Sequence, residues 1–128
     1  MKKPSIFVID DSNLMLSIIK QMITKPISNN YEVSCYDNYK ELMNELDLLE
    51  TCDVFIMDYD VPGINGIQFA EYLNLKNINK PIIFVTAHKD SCLLGKMKEC
   101  SPNVKFIMSK PFTLNELNKT IKNVIKKK

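Results

Sequence analysis

Glycine is scarce in this 128-residue chain, with three residues in all, too few for the many tight turns of a β-sandwich. Histidine is represented by His88 alone, and none of the four cysteines (Cys35, Cys52, Cys92, Cys100) forms a C-x-x-C pair. Neither a structural zinc site nor a disulfide framework is therefore expected, and buried free thiols are the default. No apolar stretch reaches the roughly 18 residues that a membrane span needs. The start, Met1-Lys2-Lys3-Pro4, is basic, but the apolar run after it is interrupted by Asp10 and Asp11, which does not fit a secretory signal. A cytoplasmic protein is the expectation. The formal net charge of +2 is too small to argue for nucleic acid. Lysines gather at the end (Lys119, Lys122, Lys126, Lys127, Lys128) with no arginine or aromatic residue interleaved. They fit a solvated helix end, where cations sit well near the negative pole of the dipole, and direct nucleic-acid binding is not expected. No repeat, low-complexity stretch or linker divides the chain, so one domain over residues 1–128 is expected.

What the chain does contain is four short apolar runs: Ile6-Phe7-Val8-Ile9, Val54-Phe55-Ile56-Met57, Ile82-Ile83-Phe84-Val85 and Phe106-Ile107-Met108. Each is continuous rather than alternating, as strands of a parallel sheet are when both faces are covered. A fifth segment, Tyr31 to Tyr36, alternates and reads as an edge strand with one wetter face. Helical spacing fills the gaps. The stripes are Leu14, Met15, Ile18, Ile19, Met22 and Ile23; then Tyr39, Leu42, Met43, Leu46 and Leu49; then Ile67, Ala70 and Leu73 after Gly66. The segment Asp90 to Cys100 is the weakest helix, because Gly95 costs about 1 kcal/mol relative to Ala. The last stripe is Leu114, Leu117, Ile121, Val124 and Ile125. Asn38 with Glu41 and Thr113 with Glu116 have the spacing of capping boxes. Strand and helix thus alternate five times, which predicts an α/β fold with right-handed crossovers, a parallel sheet and helices on both faces.

In such a sheet, ligands bind at the carboxyl ends of the strands. The first run ends in Asp10-Asp11, the second in Asp58, the third in Thr86-Ala87 and the last in Ser109-Lys110-Pro111-Phe112. Three carboxylates, a hydroxyl and an ammonium should converge on one rim. Three carboxylates repel one another unless neutralised, and one lysine is insufficient. A hard divalent cation with oxygen ligands is the natural complement, and Mg²⁺ suits carboxylates combined with phosphate. A carboxylate can also act as a nucleophile towards phosphorus, with lysine and hydroxyl holding the phosphoryl oxygens.

The set Asp10-Asp11, Asp58, Thr86, Lys110-Pro111, with Pro62 and Gly66 following Asp58, resembles the receiver domain of two-component response regulators over essentially the full chain. The resemblance implies a flavodoxin-like, doubly wound, five-stranded sheet of order 2-1-3-4-5 with five helices. It implies Asp58 as phosphoacceptor and Mg²⁺ as cofactor, held by Asp11, Asp58 and the backbone carbonyl of Asp60, with Asp10 reaching the metal through water. It also implies that Lys110 pairs with Asp58 and then with the phosphate, and that Thr86 bonds a phosphate oxygen. The small Ala87 would leave a path for a donor phosphohistidine, and Lys110-Pro111 would be cis. The implied partners are a sensor histidine kinase or histidine phosphotransfer protein, and a downstream target docking on the helix around Gly95, the last strand and the last helix. The resemblance also admits a homodimer. The chain would be a switch rather than an enzyme, catalysing at most its own phosphorylation and dephosphorylation.

Plainer uses exist for each residue. Asp10 or Asp11 would cap the first helix, Asp58 would serve a turn, Thr86 would fill a strand, and Lys110 and His88 would be solvated. His88, two residues past Thr86, and Asp60 lie where they would tune phosphate lifetime. Many receivers carry Tyr or Phe three residues before the lysine, whereas here that position is Ile107, with Phe106 one earlier. Either a bulge re-aims Phe106 or the aromatic switch is missing. Two alternatives stand beside the receiver. Asp58-Tyr59-Asp60-Val61 also fits the D-x-D-x-[TV] motif of haloacid-dehalogenase-like phosphohydrolases, although those carry the nucleophile on the first strand and the acidic pair late. The other alternative is a phosphorylation-independent interaction module.

Overall fold

The computed structural model describes residues 3–126. Met1, Lys2, Lys127 and Lys128 lie outside the described residues. Five strands, β1 (Ser5–Ile9), β2 (Glu32–Tyr36), β3 (Val54–Asp58), β4 (Ile82–Thr86) and β5 (Val104–Ser109), form one parallel sheet in the order β2-β1-β3-β4-β5. The three inner strands β1, β3 and β4 are buried along their whole length, which is why their sequences run apolar without alternation.

Successive residues of these strands face opposite sides, and each side has its own core. Phe7, Ile9, Phe55, Met57, Ile82 and Phe84 pack against Leu42, Leu49, Phe69, Leu73 and Met97. Ile6, Val8, Val54, Ile56, Ile83, Val85 and Met108 pack against Leu16, Ile19, Ile23, Leu117, Ile121 and Val124. Helices α1 (Asn13–Thr24) and α6 (Leu114–Lys126) cover the second face. Helices α2 (Lys40–Met43), α3 (Leu46–Glu50), α4 (Gly66–Leu75) and α5 (Ser91–Glu99) cover the first.

Six helices are present among the described residues where five were expected. The stripe from Tyr39 to Leu49 is broken at Asn44 and Glu45, where the backbone leaves helical angles (φ −101°, ψ 7° and φ −114°, ψ 59°). A continuous helix would bond the Met43 carbonyl to the amide four residues on. Instead the hydroxyl of Tyr72 donates to that carbonyl from α4. The last apolar run is also a correction: β5 is an edge strand, and Phe106 is 48% exposed rather than covered on both faces. Of the thiols, Cys52 is buried, Cys35 and Cys100 are half-buried, and Cys92 is exposed, so buried free thiols hold only in part.

The caps differ in detail. Thr113 and Glu116 form the full reciprocal box (3.1 and 3.3 Å). Asn38 Oδ1 accepts the Glu41 amide at 3.0 Å, but the Glu41 carboxylate bonds the Asn38 side chain rather than its backbone. A third box, Asn65 with Gln68, opens α4 and was not read from the sequence. The expected weak helix is present as α5, capped by Asp90, and a Cβ added at Gly95 would meet nothing within 4 Å.

Candidate functional site at the carboxyl edge of the sheet

Each inner strand delivers its last side chain to one rim. Asp10 follows β1 and is 2% exposed, Asp58 closes β3 at 7%, and Thr86 closes β4 at 0%. Asp11 is exposed beside them. Ligand oxygens of Asp10, Asp11 and Asp58 lie within 4.8 Å of one another, the acidic cluster found among the described residues. Lys110, just past β5, reaches in with Nζ 3.3 Å from Asp10 Oδ2 and 3.4 Å from Asp58 Oδ2. Its amide donates to the Thr86 carbonyl at 2.9 Å, and the Lys110-Pro111 peptide is cis, as expected.

The plainer use of Asp10 and Asp11 does not hold. Ser12 caps α1, its hydroxyl accepting the Met15 amide, while Asp10 Oδ1 accepts the Ser12 amide at 2.9 Å. Asp10 is thus oriented by the turn and keeps its other oxygen for the cluster. Asp58 Oδ1 accepts the Asp60 amide at 3.3 Å, and Thr86 Oγ1 accepts the His88 amide at 3.0 Å.

The site is short of positive charge. Burial pushes the Asp58 carboxyl above its ordinary value; Lys110 opposes this and Asp10 adds to it. Burial alone would lower the Lys110 ammonium, but Asp58 and Asp10 together carry it upward. Asp58 thus holds its proton more tightly chiefly because it is buried, and Lys110 because two carboxylates face it. The donor set is all oxygen, gathered and partly desolvated, which fits a hard divalent cation.

Around this centre, His88 Nε2 lies 2.7 Å from Asp60 Oδ2, so the two residues flanking the rim meet. Tyr59 stands edge-on to the His88 ring. Ala87 is exposed at the end of β4.

Residues 6–122 match the family described as the response regulator receiver domain. The chain belongs to this family. TodT, a response regulator protein of Pseudomonas putida, is 24% identical over 121 residues, covering 94% of this chain and 51% of that protein. EvgA, named as a DNA-binding transcriptional activator of Escherichia coli, is 33% identical over 85 residues, covering 65% of this chain and 39% of EvgA. This receiver domain therefore spans about half or less of these relatives. Among solved structures, a receiver domain from Clostridium thermocellum is 25% identical with a TM-score of 0.82, covering 97% of this chain and 95% of that one. The chemotaxis protein CheY4 of Vibrio cholerae shares the fold at 20% identity and a TM-score of 0.82, covering 96% and 99%. Aspartate phosphorylation and Mg²⁺ at an acidic pocket are general features of the family.

Against that background one departure is structural. The β4–β5 register shifts, pairing Ile82 with Val104 but Ile83 with Phe106, so Lys105 is the bulged residue. The bulge is real, but it does not bring Phe106 to Thr86. Phe106 stays on the α6 side, beside Thr120, Asn123 and Val124. Ile107 pairs with Phe84 and packs into the core on the other face, so an aliphatic residue stands where an aromatic one is usual.

Sequence reasoning missed one contact at the centre. Tyr39, read only as part of a helical stripe, is buried and donates its hydroxyl to the Asp58 backbone carbonyl at 2.5 Å. Spacing along a helix carries no signal for such a bond.

Proposed function

We propose that this receiver domain takes a phosphoryl group from the phosphohistidine of a sensor kinase or phosphotransfer protein onto Asp58. The carboxylate oxygen of Asp58 forms a bond to phosphorus as the phosphorus–nitrogen bond to the donor imidazole breaks, and the imidazole leaves with that electron pair. Lys110 holds one phosphoryl oxygen by charge, and the Thr86 hydroxyl donates to another. Asp11, Asp58 and the Asp60 carbonyl would hold Mg²⁺, with Asp10 behind them. When bound, the ion offsets the negative charge shared by carboxylates and phosphate. The chain is then a switch that catalyses at most its own phosphorylation and dephosphorylation.

The observation that carries this reading is the placement of Lys110 between Asp10 and Asp58 at the carboxyl edge of the sheet. The phosphohydrolase alternative has less support, because the candidate nucleophile stands on β3 and the acidic pair follows β1, the reverse of that family's order. The output surface in this reading is α5, β5 and α6, where the new charge biases an existing equilibrium.

Incubation with acetyl phosphate and MgCl₂ tests the proposal. About one hydroxylamine-labile phosphate per chain is expected, abolished by Asp58→Asn or by chelation. Uptake undiminished in Asp58→Asn would overturn it.

A further inference from the structure

The Tyr39 side chain is 1% exposed, yet it carries a hydroxyl that must find a partner. Its partner is not a neighbour in sequence. It is the main-chain carbonyl of Asp58, 19 residues away, at 2.5 Å. The ring is held by stacking on Phe69 (centroids 4.7 Å, 24° between planes), which stacks in turn on Tyr72 at 6.1 Å. Burial, with the charges of Asp58 and Asp10, raises the phenol well above its ordinary value, so it stays a donor. The same stretch of chain is also held by the first residue of α4. The Gly66 amide donates to the Tyr59 carbonyl at 3.1 Å, and a Cβ on Gly66 would come within 3.2 Å of the Asp58 carbonyl oxygen.

We propose that Tyr39 is a positioning residue for the phosphoacceptor, its buried hydroxyl clamping the Asp58 main chain so that the carboxylate and the Asp60 peptide stay in place at the acidic cluster. The clamp acts on the peptide that carries the nucleophile and, two residues on, the carbonyl assigned to the metal. It rests on the phosphoacceptor reading above. Small misplacements of reacting groups are costly, up to about 100-fold for 1 Å. A phenol fixed in a three-ring stack is a stiff point from which to hold such a loop.

The structure supplies its own control. Tyr72 belongs to the same stack and also donates its hydroxyl to a backbone carbonyl, that of Met43, away from the site. Tyr39→Phe and Tyr72→Phe each keep the ring and delete one hydroxyl. In the metal-free protein, Tyr39→Phe is expected to speed amide exchange at residues 59–61 several-fold, and Tyr72→Phe is not. An NMR titration with MgCl₂ should show several-fold weaker binding for Tyr39→Phe alone, and its uptake from acetyl phosphate at saturating MgCl₂ should slow several-fold. Thermal unfolding checks that both variants fold. Exchange at 59–61 and Mg²⁺ affinity equal in the two variants, whether both unchanged or both equally impaired, would overturn the clamp. Failure of the phosphoacceptor reading looks different: the parent protein itself would take up no phosphate.

Discussion

His88 and Asp60 meet across the mouth of the site, Nε2 to Oδ2 at 2.7 Å, joining the segment after β4 to the segment after β3. Both side chains are substantially solvent-exposed, 40% and 59%, so the pair adds little to stability. Its position matters more, since the Asp60 amide bonds the Asp58 carboxylate and the His88 amide bonds the Thr86 hydroxyl. His88→Ala is expected to leave the unfolding midpoint within error and to speed loss of phosphate from the acyl phosphate several-fold. Following the decay of phosphorylated protein in both forms checks this; an unchanged decay rate sinks it.

Asp58 carries a charge that the metal-free fold disfavours. A carboxyl raised above its unfolded value binds protons more tightly when folded, so its stabilising contribution is present at low pH and is lost as pH rises through the folded value. Asp58→Asn is therefore expected to raise the midpoint of the metal-free protein by a few degrees at pH 7. The advantage should shrink as pH falls towards 3.8, the ordinary value for this group. Thermal melts from pH 7 to pH 4 in chelator read it. A gain that is constant with pH contradicts the assignment.

Lys110 works in the opposite direction. Its ammonium is raised by Asp58 and Asp10 against the effect of burial, so its contribution is intact below 10.5 and is lost as pH climbs through the higher folded value. Lys110→Met leaves Asp10, 2% exposed, beside Asp58 with no ammonium between them. Breaking such a pair costs up to about 3–5 kcal/mol when fully buried, and Lys110 is 22% exposed, so a smaller loss is expected. MgCl₂ should restore part of it. Urea unfolding with and without MgCl₂ decides, and equal losses in both conditions would exclude a cation at this cluster.

The same substitution at two glycines should have opposite effects. At Gly66 a Cβ would lie 2.6 Å from Phe84 Cε1, a fully buried ring, and 3.2 Å from the Asp58 carbonyl oxygen. Gly66→Ala is expected to cost about 1–3 kcal/mol by overpacking and to slow phosphate uptake. At Gly95 a Cβ meets nothing within 4 Å. Gly95→Ala should stabilise by about 0.4–1 kcal/mol through the unfolded state and helix propensity. Urea unfolding of the two variants checks the sign of each.

Much of this was legible from residue order. The inner strands are continuous apolar runs because both faces are covered, and a polar candidate residue closes or follows each (Asp10, Asp58, Thr86) because the runs stop where the rim begins. Asp10, Asp58, Thr86 and Lys110 could be named from that pattern alone. The second helix could not be foreseen as broken, because the competing donor, Tyr72, comes from another element. Phe106 looked like core because its run is apolar, but its strand lies at the sheet edge and its side chain is left exposed beside α6.

Periodicity and chain order thus determined the α/β class, the strands and the residues at their ends, since burial on two faces and helical spacing are written locally in the chain. Only the packed structure decided that Tyr39 reaches Asp58, that His88 meets Asp60, and that Ile107 rather than Phe106 lies on the inner face of β5. Those outcomes depend on which side chain from a distant element arrives first at a carbonyl, a carboxylate or a gap, and on a one-residue register shift, neither of which local spacing records.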